Sequence, residues 1–338
     1  MGLVSKRNLF LKVDLDQPLS QAHIGLLHDA TSSTIENLTV FIALHDVYHI
    51  KREAGWTLMQ RRVAELYATA AGQALLKEHP LNIDIVPLDF CAYSPEDMDP
   101  YSNWPTTTIS SAAMLTERLM VDLSAVPGWW PAEMYKHISL YDQPDNVTPD
   151  VQPNQSLSCS SRTETPWKSY PHVAVGGTFD HLHVGHKILL TAAAMAATKR
   201  VVCGISADRL LENKKYWELL EPYRDRELHV LLFLRKIRKD LIVELVPISD
   251  PYGPTAVDAS IEALVVSQET LAGSQSLNVR RQENGLLPMK LMAIDLVATL
   301  SDKPQSMEAS AENTALKVSS TAIRAALYEK QQRGSGSF

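Results

Sequence analysis

The densest chemistry in the chain lies in Gly176-Gly177-Thr178-Phe179-Asp180-His181-Leu182-His183-Val184-Gly185-His186. Two glycines permit a tight turn and the close approach of a ligand to backbone. A helix is predicted to begin at about His183. His183 and His186 are three apart, so their side chains share one face of its first turn. Gly185 carries no side chain, which lets a nucleotide lie against the backbone. Free N–H groups and the positive end of the helix dipole point to the same place. The result is an anion site with two imidazoles, suited to a polyphosphate. Read as metal ligands instead, the two histidines lack further ligands of the usual kind nearby. Three other stretches could serve such a site. In Lys317-Val318-Ser319-Ser320-Thr321-Ala322-Ile323-Arg324, Ser319 or Ser320 can cap a helix running through Ala325 and Leu327. Its hydroxyls and first N–H groups could hold a second phosphate, with Arg324 adding charge one turn on. Alone it would read as an ordinary capped surface helix. Lys214-Lys215 precede Glu221-Pro222-Tyr223-Arg224-Asp225-Arg226, and Ser267-Gln268-Glu269-Thr270 precede Asn278 and Arg281.

These residues need a sheet to bring them together, and the sequence supplies one. Strands are predicted at 172–176, 200–205, 241–248, 261–266 and 288–297, with helices at 184–198 and 225–239. Strands alternating with helices imply a parallel sheet that binds ligands at its carboxyl edge. The first half shows the same rhythm. LFLKVDLD (9–16) aligns with VAVGGTFD (173–180), TVFIALHD (39–46) with VVCGISAD (201–208), and VPLD (86–89) with VPIS (246–249). A long amphipathic helix is expected over 56–77. Residues 1–140 therefore read as an α/β domain that can be a degenerate copy of the second half, against the alternative that two α/β segments share a rhythm by chance. In that copy Ser20-Gln21-Ala22-His23 stands for the histidine pair and Val13-Asp14-Leu15 for the glycine turn, which makes it non-catalytic.

Residues 141–170, with Pro144, Pro149, Pro153 and Pro166 among polar residues, are expected to be a linker. The catalytic domain is expected over 171–331, with a second weak stretch at 301–313 and a flexible tail at 332–338. The 338 residues suggest about two domains at roughly 150 residues each. A net charge of −7 argues against a broad nucleic-acid surface. No apolar run approaches the roughly 20 residues of a membrane span, and no apolar signal core opens the chain. Cys91, Cys159 and Cys203 are widely spaced, with no CxxC, which argues against a disulfide framework or a zinc knuckle and for a cytoplasmic setting.

GGTFDxxHxGH and SSTxIR together resemble the paired signatures of the HxGH nucleotidyltransferases. Asp250-Pro251-Tyr252-Gly253-Pro254, Val265-Val266-Ser267-Gln268-Glu269-Thr270 and Asn278-x-x-Arg281 are similar to phosphopantetheine adenylyltransferases of the eukaryotic and archaeal type, and most to the fungal-like, monofunctional branch. No P-loop GxxxxGK[ST] is present, so no attached kinase is indicated. The resemblance covers about residues 170–330. It implies a Rossmann-like parallel sheet of the nucleotidyltransferase type. It also implies transfer of the adenylyl group of ATP to 4′-phosphopantetheine, giving dephospho-CoA and pyrophosphate. The alternative is another HxGH adenylyl- or cytidylyltransferase with a mononucleotide or phospho-alcohol acceptor.

By that resemblance His186, His183 and Lys214 are catalytic. ATP is held by Gly177, Thr178, Phe179, Gly185, Arg281, Ser319, Ser320, Thr321 and Arg324. Phosphopantetheine is held by Thr178, Lys214, Lys215, Tyr252, Ser267 and Thr270, and Lys214 and Lys215 remain alternatives for bridging the two phosphates. Mg²⁺ arrives with ATP and takes few protein ligands, so no resident metal site is expected. Other enzymes of coenzyme A synthesis are candidate partners of the first half, and the oligomeric state stays open between monomer and homo-oligomer.

Overall fold

A computed structural model describes residues 3–45, 52–74, 81–87, 119–121, 139–140, 167–294 and 319–335. The chain divides into two compact units, 1–167 with 310–312, and 168–309 with 313–338. Each is built on a five-stranded sheet whose paired strands all run parallel.

In the first unit the strands are β1 (Val4–Asp14), β2 (Thr34–His45), β3 (Asn82–Pro87), β4 (Leu119–Val121) and β5 (Ser139–Leu140), in the order β3-β2-β1-β4-β5. Leu9, Leu11 and Val13 alternate along β1 and are buried, as the two-residue period of a strand requires. Helix α1 (Gln21–Ser32) follows β1, and α2 (Arg52–Ala74) follows β2. Met59, Val63, Leu66, Tyr67 and Ala70 recur at helical spacing on α2 and are buried. The Tyr67 hydroxyl accepts the Ile85 N–H at 3.1 Å, tying α2 to β3.

The second unit contains β6 (Tyr170–Gly177), α3 (Val184–Ala196), β7 (Ala197–Ser206), α4 (Tyr223–Ile237), β8 (Ile242–Ile248), β9 (Ala263–Ser267), α5 (Gln268–Glu283), β10 (Lys290–Ile294) and α6 (Ser320–Ser335). Its order, β8-β7-β6-β9-β10, is that of the first unit strand for strand. The chain winds outward from β6 through β7 to β8, then returns to place β9 on the other side of β6. The carboxyl ends of β6 and β9 therefore form the topological switch point, where open α/β sheets bind ligands. The central strand is buried on both faces at Val173, Ala174 and Val175.

Several boundaries depart from the sequence expectation. The Ala-rich helix stops at Ala196 rather than Thr198, because Ala197 already pairs with Tyr170 in the sheet. Ladder pairing here outweighs the helix propensity of the alanine run. The helix expected over 225–239 is α4, two residues earlier at both ends, started by Pro222 at its N-cap. The expected linker gives way to strand by Tyr170. Residues 141–166, 295–318 and 336–338, together with Cys91 and Cys159, lie outside the described residues. Cys203 is a free, buried thiol in β7, and burial pushes its pKa upward.

Candidate active site

The carboxyl end of β6 turns through Gly177 and Thr178 into a loop with unusual backbone. Phe179 and His181 both have positive φ, 53° and 47°. Such conformations are costly for side-chain-bearing residues and need over-determination by their surroundings. The Phe179 side chain is buried, its ring closing over Gly177, where an added Cβ would come within 3.1 Å of it. The backbone N–H of His181 donates to Glu221 Oε2 at 2.6 Å, and its Nε2 donates to the Leu219 carbonyl at 2.9 Å. Asp180 is wholly buried. Its Oδ1 accepts the Glu221 N–H at 2.9 Å, and its Oδ2 accepts from the Arg324 guanidinium.

This loop delivers the two histidines. His183 is the N-cap of α3, with its side chain not engaged in capping, and His186 is three residues on. Their rings stack at 3.8 Å between centroids and 26°, and Phe179 meets His186 edge-on at 5.4 Å. Both imidazoles have a buried Nδ1 with no hydrogen-bond partner. Burial pushes the pKa of His183 down to about 4 and that of His186 well below its usual range, the latter helped by His183 itself. Both rings are therefore neutral at pH 7. The first backbone N–H groups of α3 face the same region without intrahelical acceptors, as at any helix start.

The remaining candidates fall into distinct groups. Lys214 is exposed, and its side chain has no partner among the described residues. Lys215 extends over the Tyr216 ring, and its carbonyl accepts Arg324 Nε at 3.1 Å. Ser319 Oγ caps α6 by accepting the Ala322 N–H at 3.2 Å. Ser320 Oγ donates to the Asp180 carbonyl at 2.9 Å, and Thr321 Oγ1 accepts from Arg324 at 3.3 Å. Direct hydrogen bonds thus join α6 to Asp180 of the turn and to the Lys214–Lys215 loop, and the histidine pair follows that turn in the chain.

Tyr252, Ser267 and Thr270 are not tied to the turn by any of these bonds. Asp250 Oδ1 accepts the N–H groups of Tyr252 and Gly253 at 2.8 and 2.9 Å, forming a compact turn. Ser267 is the N-cap residue of α5, and its hydroxyl lies 3.1 Å from that of Thr270.

Two arginines depart from the expected phosphate contacts. Arg281 is 1% exposed and donates to the carbonyls of Leu287, Thr255, Asp258 and Ile261, at 2.8, 2.5, 3.0 and 3.3 Å. Four of its five N–H donors go to loop backbone in a buried position, which turns it away from a phosphate role. Asn278 works likewise, exchanging two hydrogen bonds with the Met289 backbone. Arg324 is 2% exposed and turned inward onto Asp180 and Lys215.

Arg226 is a residue to which sequence reasoning assigned no role. It is wholly buried and donates to the carbonyls of Glu221, Thr178 and Ser206 at 3.0, 2.8 and 2.9 Å and to Asp208 at 3.1 Å. It therefore fixes the backbone of the glycine turn from α4. The first unit repeats the device: Arg62 on α2 donates to the Asp14 carbonyl at 2.9 Å and the Leu15 carbonyl at 3.4 Å. Arg62 and Arg226 are 164 positions apart, as are Asp14 and Thr178. That shared offset was the signal available in the sequence. The histidine pair, by contrast, is replaced. Ser20 caps α1, and His23 folds back onto it in a capping box, with His23 N–H to Ser20 Oγ at 3.2 Å and Ser20 N–H to His23 Nδ1 at 3.4 Å.

Residues 174–326 match the family model described as cytidylyltransferase-like. Among curated proteins, the phosphopantetheine adenylyltransferase of Saccharomyces cerevisiae is 38% identical over 199 residues, covering 58% of this chain and 59% of that protein. An uncharacterized protein of Schizosaccharomyces pombe is 45% identical over 151 residues, covering 45% of this chain and 46% of its own length. The match thus spans about half to three-fifths of these two relatives. The phosphopantetheine adenylyltransferase of Pyrococcus furiosus is 35% identical over 162 residues, and there the match takes in 92% of the archaeal protein. With 92% of that archaeal protein matched at 35% identity, the chain belongs to the phosphopantetheine adenylyltransferase family of nucleotidyltransferases.

Proposed function

We propose that the second unit transfers the adenylyl group of ATP to 4′-phosphopantetheine, giving dephospho-CoA and pyrophosphate in coenzyme A synthesis. The observation that carries this reading is the stacked, neutral His183–His186 pair on the first turn of α3, at the switch point of the sheet. The acceptor's phosphate oxygen, already an anion at neutral pH, attacks the α-phosphorus of ATP in line, and the bond to the β-phosphate oxygen breaks. No general base and no covalent intermediate are required. The protein's tasks are alignment and charge stabilisation. His186 donates to the α/β-phosphate region where charge builds, and His183 supports the polyphosphate. Backbone at Gly177 and Gly185 and the Thr178 hydroxyl receive the two phosphates, with Phe179 packing the turn. Lys214 supplies the mobile cation between them, since Lys215 is drawn toward Tyr216 and α6. The first N–H groups of α6, with Ser319 and Thr321, face the outer phosphates. Tyr252, Ser267 and Thr270 shape the acceptor side.

Mg²⁺ would come with the nucleotide, neutralising triphosphate charge. Asp180, His181 and Glu221 form the one group of metal-capable side chains among the described residues. It does not fit a resident ion: both Asp180 oxygens and His181 Nε2 are already spent on protein partners. The first unit is proposed to be non-catalytic and a docking module for other enzymes of the pathway. No described helix is long and apolar enough to cross a membrane, and a cytoplasmic site of action is proposed with that.

The test is pyrophosphate release by the purified full chain, comparing ATP with CTP and phosphopantetheine with a nicotinate mononucleotide and a phospho-alcohol. Turnover confined to ATP with phosphopantetheine is expected. Preference for another acceptor or for CTP would move the chain to a different HxGH reaction.

A further inference from the structure

We propose that the buried Asp180–Arg324 ion pair is a positioning latch for adenylyl transfer, through which α6 and the lysine loop are held in register with the phosphate turn. Arg324 links three segments far apart in sequence. Its Nη1 donates to Asp180 in the turn, its Nε to the Lys215 carbonyl at 3.1 Å, and its Nη2 to Thr321 at the start of its own helix. Asp180 answers with a second bond to α6, its carbonyl accepting Ser320 Oγ at 2.9 Å, and with a bond to the Glu221 N–H. The Tyr216 and Tyr328 rings, 5.2 Å apart, meet beside the same junction. With both partners of the pair almost fully buried, removing one strands a charge. The planar guanidinium reaches three acceptors in fixed directions, a geometry that a compact ammonium on a flexible stem does not reproduce. Asp180 and Arg324 thus act through the groups they aim: His183 and His186 on one side, Lys214 and the N–H groups of α6 on the other. This assignment gives Arg324 a role distinct from binding phosphate directly.

The inference rests on the adenylyl-transfer reading, and its test separates the two. Full-length Asp180→Asn, Arg324→Gln and the double variant are compared with the parent for kcat, KM, ATP affinity by calorimetry and hydrogen exchange over residues 320–335. A parent that releases no pyrophosphate refutes the reaction. The exchange measurement still reads the latch, through faster exchange of 320–335 in Asp180→Asn. With an active parent, each single variant is expected to lose about 10²-fold in kcat/KM, the scale of small misplacements. The loss should fall mainly in kcat with ATP affinity little changed. The double variant should be no worse than either single, as for one shared interaction. It strands no charge, so it also guards against misfolding of the singles. Should it fail to fold, Arg324→Lys keeps Asp180 paired and should restore protection of 320–335 while kcat stays at least about tenfold low. Additive losses, parental kcat in the folded double or lysine variant, parental exchange in Asp180→Asn, or weaker ATP binding in Arg324→Gln alone would each overturn the latch.

Discussion

An imidazole that is neutral at pH 7 still has one N–H to give, and burial holds His183 and His186 in that state. His186→Ala is expected to lower kcat by about 10²–10³, the scale for losing one donor to developing charge. ATP affinity should fall less, because the helix N-terminus still binds phosphate. Steady-state kinetics with calorimetric ATP binding checks both halves of this statement. The same burial predicts a pH dependence of stability. In the unfolded chain both rings take a proton near pH 6.5, whereas the folded His183 resists until about 4. Protonation therefore favours the unfolded state. Stability is intact above about pH 6.5 and declines as pH falls toward 4. Urea unfolding at pH 7.5 and 5 should show a lower midpoint at pH 5, and His183→Ala/His186→Ala should shrink that difference. The pair was legible in the sequence because a glycine turn, a helix start and a three-residue spacing are all local. Arg281 and Arg324 show the opposite case. A cation near a phosphate motif looks like a ligand until the fold shows its donors spent on carbonyls and a buried carboxylate.

At the level of elements, β6 to β10 and the helices α3 and α4 are legible from periodicity, whereas α5, over residues read as a loop, is not, and boundaries are decided by pairing that the sequence does not display. Ala197 joins the sheet because Tyr170 lies beside it, not because the alanine run weakens. The Asp250–Pro254 turn shows a local demand that can be tested. Gly253 has φ +50°, and a Cβ there would collide with Ile248 Cγ2. The turn is further fixed by Asp250 accepting two N–H groups. Gly253→Ala should therefore destabilise the chain by about 1–3 kcal/mol, the range for a strained backbone position, measured as a lowered urea midpoint with an unchanged slope. An unchanged midpoint would mean that the turn relaxes freely, and with it Tyr252. The arginine clamps belong to this scale as well. Arg62 and Arg226 each reach from the second helix of a unit to the carboxyl end of its first strand, so the clamp is a property of the strand–helix–strand–helix unit and does not depend on the histidine pair.

At the scale of the whole molecule, two units of one strand order carry opposite equipment at equivalent places. In the second, the β6–α3 turn has glycines, unpartnered imidazole nitrogens and a loop pinned by α6. In the first, Val13 and Leu15 are buried where the phosphate turn would be, and His23 is consumed in capping α1. The identical order and the shared 164-residue offset of the clamps favour duplication over a coincidental α/β rhythm. With Val13 and Leu15 buried at that turn, the first unit is proposed to lack the free backbone approach that phosphate needs. ATP should accordingly bind once per chain. Isothermal calorimetry on the full chain is expected to give a stoichiometry of about one, abolished together with turnover when His183 and His186 are both replaced by alanine and the α3 start is blocked by Gly185→Val. Ser20→Ala in the first unit should lower stability by about 0.5–2 kcal/mol, as loss of a helix cap does, and leave that stoichiometry untouched. A second nucleotide per chain, lost on changing Ser20 or His23, would instead make the first unit a nucleotide sensor, and the capping box would then be a closed form that ATP opens.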